Sequence, residues 1–239
     1  MKNKILILFI LFNLSLATFS IEEIQRANTQ EISSDNSSYI NEVSEEITTI
    51  REYRPQVLIE LDEEIFSGTR NTIASLNKRY NIELDNYLES INYNSDLIFL
   101  LANEYFLLGR IDRANQIFLK DSNDLKNIFG AATTYRMMGN NLKAIEKYNQ
   151  AISISSSFYE SYLGRGLCYR NLKEYDKAIS DFKKYIDNSK RLEGYLSLGD
   201  LYFAMGEYDE ASKIVSSGLS IHPSSSELRK LMNSIAKNK

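Results

Sequence analysis

The chain has 239 residues, enough for one or two domains with a sizeable core, and its 43% apolar and 25% charged residues make an ordinary globular composition. A formal net charge of −4 with no basic patch disfavours a nucleic-acid partner. One cysteine excludes an internal disulfide, and one histidine excludes a histidine-based metal set.

Residues 1–20, MKNKILILFILFNLSLATFS, have the layout of an export signal. Lys2 and Lys4 form a positive start, Ile5 to Phe12 an unbroken apolar run, and Ser15, Ala17, Thr18 and Ser20 a small-residue end. The apolar run is shorter than the roughly 20 residues a transmembrane helix needs. Abundant Ile, Asn, Lys and Ser with no Trp suggest an AT-rich bacterial genome. The expected location is therefore the periplasm or the periplasmic face of the outer membrane, with an N-terminal anchor in the inner membrane as the alternative.

Residues 21–37 are polar and weakly periodic and read as a linker. Residues 38–94 read as an N-terminal helical segment. It opens with Ile40, Val43, Ile47 and Ile50, whose 3-4-3 spacing makes one stripe on a helix. That stripe packs on the rest of the protein or is an interface for a partner or a second copy. Pro55 ends the helix, because the residue before a proline is pushed out of the α region. Gln56–Gly68 predicts a helix stopped by its glycine. Ile73, Leu76, Tyr80, Leu84, Tyr87, Leu88 and Ile91 then predict a longer amphipathic helix, completing a hairpin.

From residue 95 the chain repeats. Ala114, Ala144, Ala178 and Ala211 stand 30, 34 and 33 residues apart. Nine residues before each is a tyrosine (Tyr105, Tyr135, Tyr169, Tyr202), and twelve before is a small residue (Ala102, Ala132, Gly166, Gly199). Four after come Phe118, Tyr148, Phe182 and the smaller Val215. This pattern resembles the tetratricopeptide repeat, a helix–turn–helix unit with a period of about 34. The last copy is the fullest, with Tyr195 in the usual tryptophan place, then Leu198, Gly199, Tyr202, Ala211 and Pro223. The resemblance covers residues 95–225 as four repeats (95–124, 125–158, 159–191, 192–225), with residues 226–239 as a capping helix whose apolar face is Leu228, Leu231, Met232 and Ile235. The implied fold class is all-α, a solenoid of helical hairpins. The first copy is four residues short, which predicts a second helix about one turn shorter. Gly109, Gly139 and Gly206 fall at the turns, and Asp112, Asp176 and Asp209 open the second helices.

The residues offer no catalytic set. His222 stands alone beside Pro223, and Cys168 lies between Leu167 and Tyr169 in a repeat's first helix, where a small core side chain is the expected role. Gly164-Arg165-Gly166 lacks a preceding strand and a following glycine at the right distance, so it is no dinucleotide loop. Adjacent acids such as Glu45–Glu46 and Glu63–Glu64 diverge around a helix axis. No enzyme activity, cofactor, metal or small-molecule substrate is expected.

The resemblance implies binding of proteins in a concave groove lined by first helices. Carried over residue by residue, the groove positions are Phe99, Asn103 and Phe106; Phe129, Thr133, Arg136 and Met137; Leu163, Leu167 and Arg170; and Leu196, Asp200 and Phe203. Relatives that grip a C-terminal carboxylate use Lys and Asn at fixed places, and only Asn103 matches, so that clamp is not expected. The layout of signal, short helical segment and C-terminal repeats is similar to small exported bacterial envelope proteins, spirochaete ones among them. The resulting expectation is a scaffold or adaptor that stabilises an envelope protein, with peripheral membrane association and self-association as further options. Two alternatives stand beside it: a chaperone-like holder of exported proteins, and a coordinator of the cell-division or peptidoglycan machinery.

Overall fold

The computed structural model describes residues 54–68 and 70–238, and these form α-helices joined by short turns. The export signal, the polar linker and the stripe of Ile40, Val43, Ile47 and Ile50 lie outside the described residues. The described residues divide into two compact units that part between Ala131 and Ala132.

In the first unit, α1 (Gln56–Ser67) and α2 (Arg70–Ser90) form a hairpin. Pro55 stands at the N-cap of α1, where its missing N–H is no loss, and its carbonyl accepts from Leu58 and Ile59. Gly68 ends α1 as expected, but in extended backbone (φ −74°) rather than the left-handed conformation common at helix ends. A second hairpin follows from α3 (Ser95–Leu107) and α4 (Ile111–Phe118). Leu58 and Leu61, Tyr80, Leu84 and Leu88, Ile98, Leu101 and Tyr105, and Ile117 and Phe118 are all buried and build one core. The Tyr80 and Tyr105 rings meet edge-on at 6.2 Å.

At eight residues α4 is the shortest helix described. The next two second helices have 14 and 15 residues, so the deficit is nearer two turns than the single turn that the spacing predicts. A polar knot replaces the missing turns. Asp121 accepts from the backbone N–H groups of Asn123 and Asp124 at 3.0 and 3.2 Å, and Asn127 donates to the Ser95 carbonyl at 3.0 Å. Burial works to raise the Asp121 carboxyl's pKa, but hydrogen bonds from Ser95, Asn123, Asp124 and Asn127 outweigh it and hold it below its ordinary value.

α5 (Leu125–Met137) begins in the first unit and ends in the second. The second unit continues with α6 (Asn141–Ile154), α7 (Glu160–Asn171), α8 (Tyr175–Ser189), α9 (Leu192–Ala204), α10 (Tyr208–Ile221) and α11 (Ser226–Asn238). Helices α7 and α9 each pack on the second helix before and after them, α7 on α6 and α8, α9 on α8 and α10. Ala144 and Tyr148, Ala178 and Phe182, and Ala211 and Val215 are buried at these contacts. Gly199 shows why small residues recur there, since a Cβ on it would lie 2.8 Å from Val215 Cγ2 and 3.2 Å from Leu231 Cδ2.

The turns of three hairpins rest on glycine in the left-handed region, with φ of 73°, 76° and 79° at Gly109, Gly139 and Gly206. The third repeat makes the same turn with Lys173 at φ 62°. Helix α11 is capped by Ser225, whose Oγ accepts from Leu228 N at 3.2 Å. It buries Leu228 and Ile235 and turns Arg229, Lys230 and Lys237 to solvent.

Candidate protein-binding face

The groove positions separate by accessibility. In the first unit Phe99, Asn103, Phe106 and Phe129 are buried. Helix α3 is in fact buried without interruption from Ile98 to Phe106 except Leu100, so its outer face is core there rather than open surface. The Phe99 ring lies 5.9 Å from that of Phe118, and the Lys126 ammonium sits 5.5 Å from the Phe99 ring centre.

In the second unit Thr133 and Leu163 are buried. Thr133 Oγ1 shares a 3.1 Å hydrogen bond with the Tyr148 hydroxyl. Arg136, Met137, Leu167, Arg170, Leu196 and Phe203 are half-buried, and Asp200 is exposed. Helices α7 and α9 touch, and Leu167 and Arg170 on α7 stand one repeat period before Asp200 and Phe203 on α9. This face joins apolar side chains to a few charges, the composition of a protein-binding surface. Leu196, Asp200 and Phe203 fall on one side of α9 because steps of four and three return to one helix face.

Arg136 reaches inward towards Tyr148 and Cys168. Burial pushes the Tyr148 phenol up, while Arg136 and Thr133 pull it part of the way back. The Cys168 thiol is fully buried and pushed up to about 12 by burial, with Arg136 again opposing. Such a thiol stays protonated at neutral pH and is a core side chain, not a nucleophile. His222 serves the fold as well, its Nε2 lying 2.8 Å from the Lys190 carbonyl and its ring edge-on to Tyr195. Among the described residues no group of three or more His, Cys, Asp or Glu side chains is placed to hold a metal.

Two features of this face escape the repeat pattern. Burial pushes the Tyr185 phenol on α8 up, and the charges of Glu193 and Glu160, in the first turns of α9 and α7, push the same way while Arg191 opposes them. Their spacing of 33 residues is one repeat period, which was the available signal. Arg165 forms a two-armed pair with Asp181 at 2.7 and 2.8 Å and also donates to Asn149 at 2.6 Å, tying α7 to α8 and α6. Nothing in the motif announces it.

Residues 172–235 match the family model described as tetratricopeptide repeat. Among curated relatives, BBSome complex member BBS4 of Bos taurus is 28% identical over 102 residues, 43% of this chain and 20% of that protein. Hsp70-Hsp90 organizing protein of Triticum aestivum is 31% identical over 87 residues, 36% of this chain and 15% of that protein. The match therefore spans about a fifth of the length of these relatives or less. Among solved structures, a tetratricopeptide repeat protein from Parabacteroides merdae superposes with a TM-score of 0.56 at 21% identity, covering 77% of this chain and 74% of that one. A thermophilic repeat protein of Thermus thermophilus does so at 0.54 and 20%, covering 74% and 99%, and MamA at 0.52 and 24%, covering 60% and 91%.

With the helical hairpins described above, these likenesses make the chain an all-α solenoid of the tetratricopeptide-repeat kind.

Proposed function

We propose that the protein is an exported adaptor that holds and stabilises another protein of the bacterial cell envelope, gripping it on the accessible face of α7 and α9. The observation that carries the binding face is the set of Leu167, Leu196 and Phe203, large apolar side chains left partly open beside Arg170 and Asp200. Burying such a set against a partner removes apolar surface from water while the two charges select which partner fits. The N-terminal residues Lys2, Lys4 and Ile5 to Phe12 support export, and a periplasmic location follows from it.

Phe106 and Phe129 are poor places to test this reading, because a carboxylate in either buried site would unfold the first unit before it reported on binding. Leu167→Glu combined with Phe203→Glu is the better probe. Cross-linking with mass spectrometry on intact cells should identify one stoichiometric partner for the native protein and lose it for the double variant at unchanged helical circular dichroism. Many weak apolar clients in place of one partner would instead favour a chaperone-like holder. Retention of the partner by the double variant would reject this face.

A further inference from the structure

We infer that the chain's own residues 38–53 occupy the groove face of the first unit, with the stripe of Ile40, Val43, Ile47 and Ile50 seated against Phe99, Phe106 and Phe129. The inference concerns the first unit alone and stands apart from the partner face on α7 and α9.

Equivalent positions of the repeats point to a cover. Phe106, Arg170 and Phe203 share one repeat position, and Asn103, Leu167 and Asp200 another. Phe106 and Asn103 are each 1% exposed, whereas Arg170, Leu167 and Phe203 are half-buried and Asp200 is exposed. Neighbouring hairpins do not account for the difference, because in chain order α3 has one before and one after it, and so has α7. Nor does the second helix of the same repeat. At 8 residues α4 offers α3 less cover than the 15 residues of α8 offer α7, yet α3 is the more buried.

The chemistry of the face agrees. Phe106 stands where the next two repeats carry Arg136 and Arg170, and Phe99 and Phe129 are buried beside it in the same unit. Three phenylalanines on one face gain from closure by an apolar occupant. The stripe supplies one, with Glu42, Glu45 and Glu52 on the opposite side of the helix that its spacing predicts.

The chain also reaches this helix at the right place. Arg54, the first described residue, pairs with Glu104 of α3 at 3.1 Å, and its guanidinium lies 5.1 Å from the centre of the Tyr105 ring. Only 14% and 6% of the two charged side chains are exposed, so the pair pins the point from which the preceding residues set out. Ile50 is then within about 14 Å of Arg54 even along fully extended chain. As a helix, Ile40 to Ile50 measures about 15 Å, enough to cover the rise of about 10 Å from Phe99 to Phe106.

A photoreactive benzoylphenylalanine placed at Ile47 of the full chain tests this. Irradiation of dilute protein should cross-link it within one chain to α3 or to the first turns of α5, as mapped by mass spectrometry. Cross-links confined to other elements overturn the inference. Cross-links to α3 that join two chains overturn it too, by making a second copy the donor of the segment. Val43→Glu with Ile47→Glu should speed hydrogen exchange of α3 about ten-fold and leave α8 to α10 unchanged. Thr49→Glu, on the opposite side of the predicted helix, should leave α3 as in the native chain. A labelled peptide of residues 38–53 should bind the double variant in fluorescence anisotropy but not the native chain, whose site is filled. Native-like protection of α3 in the double variant, or a peptide that binds both proteins equally or neither, overturns the inference. If the double variant loses the fold of the first unit, the cross-links decide.

Discussion

At the scale of single residues, buried titratable groups set a limit on alkaline stability. The Cys168 thiol, ordinarily near 9, is pushed up to about 12 by burial, and burial likewise raises the phenols of Tyr80, Tyr148 and Tyr185. A group whose pKa is raised on folding contributes its full stabilisation below its unfolded pKa and loses it as pH rises through the folded value. Urea midpoints measured from pH 8 to 11 should therefore fall from about pH 9 upward, first from the thiol and then from the phenols. Cys168→Ala should delay the onset, and a flat profile for the native chain would contradict the expectation. Lys173 offers a second residue-scale case. It occupies a left-handed turn position filled by glycine in the other three repeats, where a Cβ is strained. Lys173→Gly should raise stability by roughly 0.5–1 kcal/mol, and Gly206→Ala should lower it by about 1 kcal/mol, both read from urea midpoints.

Between elements, polar side chains join the first hairpin to the second. Arg113 donates to Asn77 at 2.5 Å, Gln116 NH₂ to Asn81 at 2.7 Å, and Lys120 pairs with Asp85 at 2.6 Å, a ladder along α2 and α4. Beneath it, buried Asp62 meets Arg110 at 3.1 Å and Arg113 at 3.5 Å, while Arg113 also lies 4.0 Å above the Tyr80 ring. Removing the buried carboxylate strands the Arg113 guanidinium, so Asp62→Ala should destabilise the first unit by about 3 kcal/mol. Asp85 is half-exposed, and Asp85→Ala should cost about 0.5 kcal/mol, because water and salt screen that pair. Chemical denaturation of the two variants in parallel separates the two magnitudes.

For the molecule as a whole, repeat proteins gain stability from neighbours, so the ends matter most. Helix α11 closes the second unit by covering Gly199 with Leu231 and Gly218 with Leu228. Truncation after Ser225 should withdraw roughly 3–6 kcal/mol of burial by Leu228 and Ile235 alone. Hydrogen exchange should then show α9 and α10 losing protection ahead of α7 and α8, and native-like protection throughout would count against a capping role. The same truncation should expose apolar surface and increase aggregation.

The period of the alanines, tyrosines and small residues was sufficient by itself for the fold class and for the core of each hairpin. That is because helix packing repeats whenever side-chain volume repeats: Ala114, Ala144, Ala178 and Ala211 are all fully buried. The turn glycines were equally legible, since positive φ leaves glycine as the cheapest choice. Which groove positions stay open was not legible. Position along a repeat gives the face of a helix, but Phe99, Asn103 and Phe106 share that face with Leu196 and Phe203 and are buried all the same. Burial depends on everything packed around a helix, and the motif describes only the helix itself. The Asn127 bond to the Ser95 carbonyl and the Arg165–Asp181 pair likewise join residues of different helices. Only the tertiary structure brings them together, because hydrogen bonds and charge contacts are decided by distance in space, whereas the repeat pattern records distance along the chain.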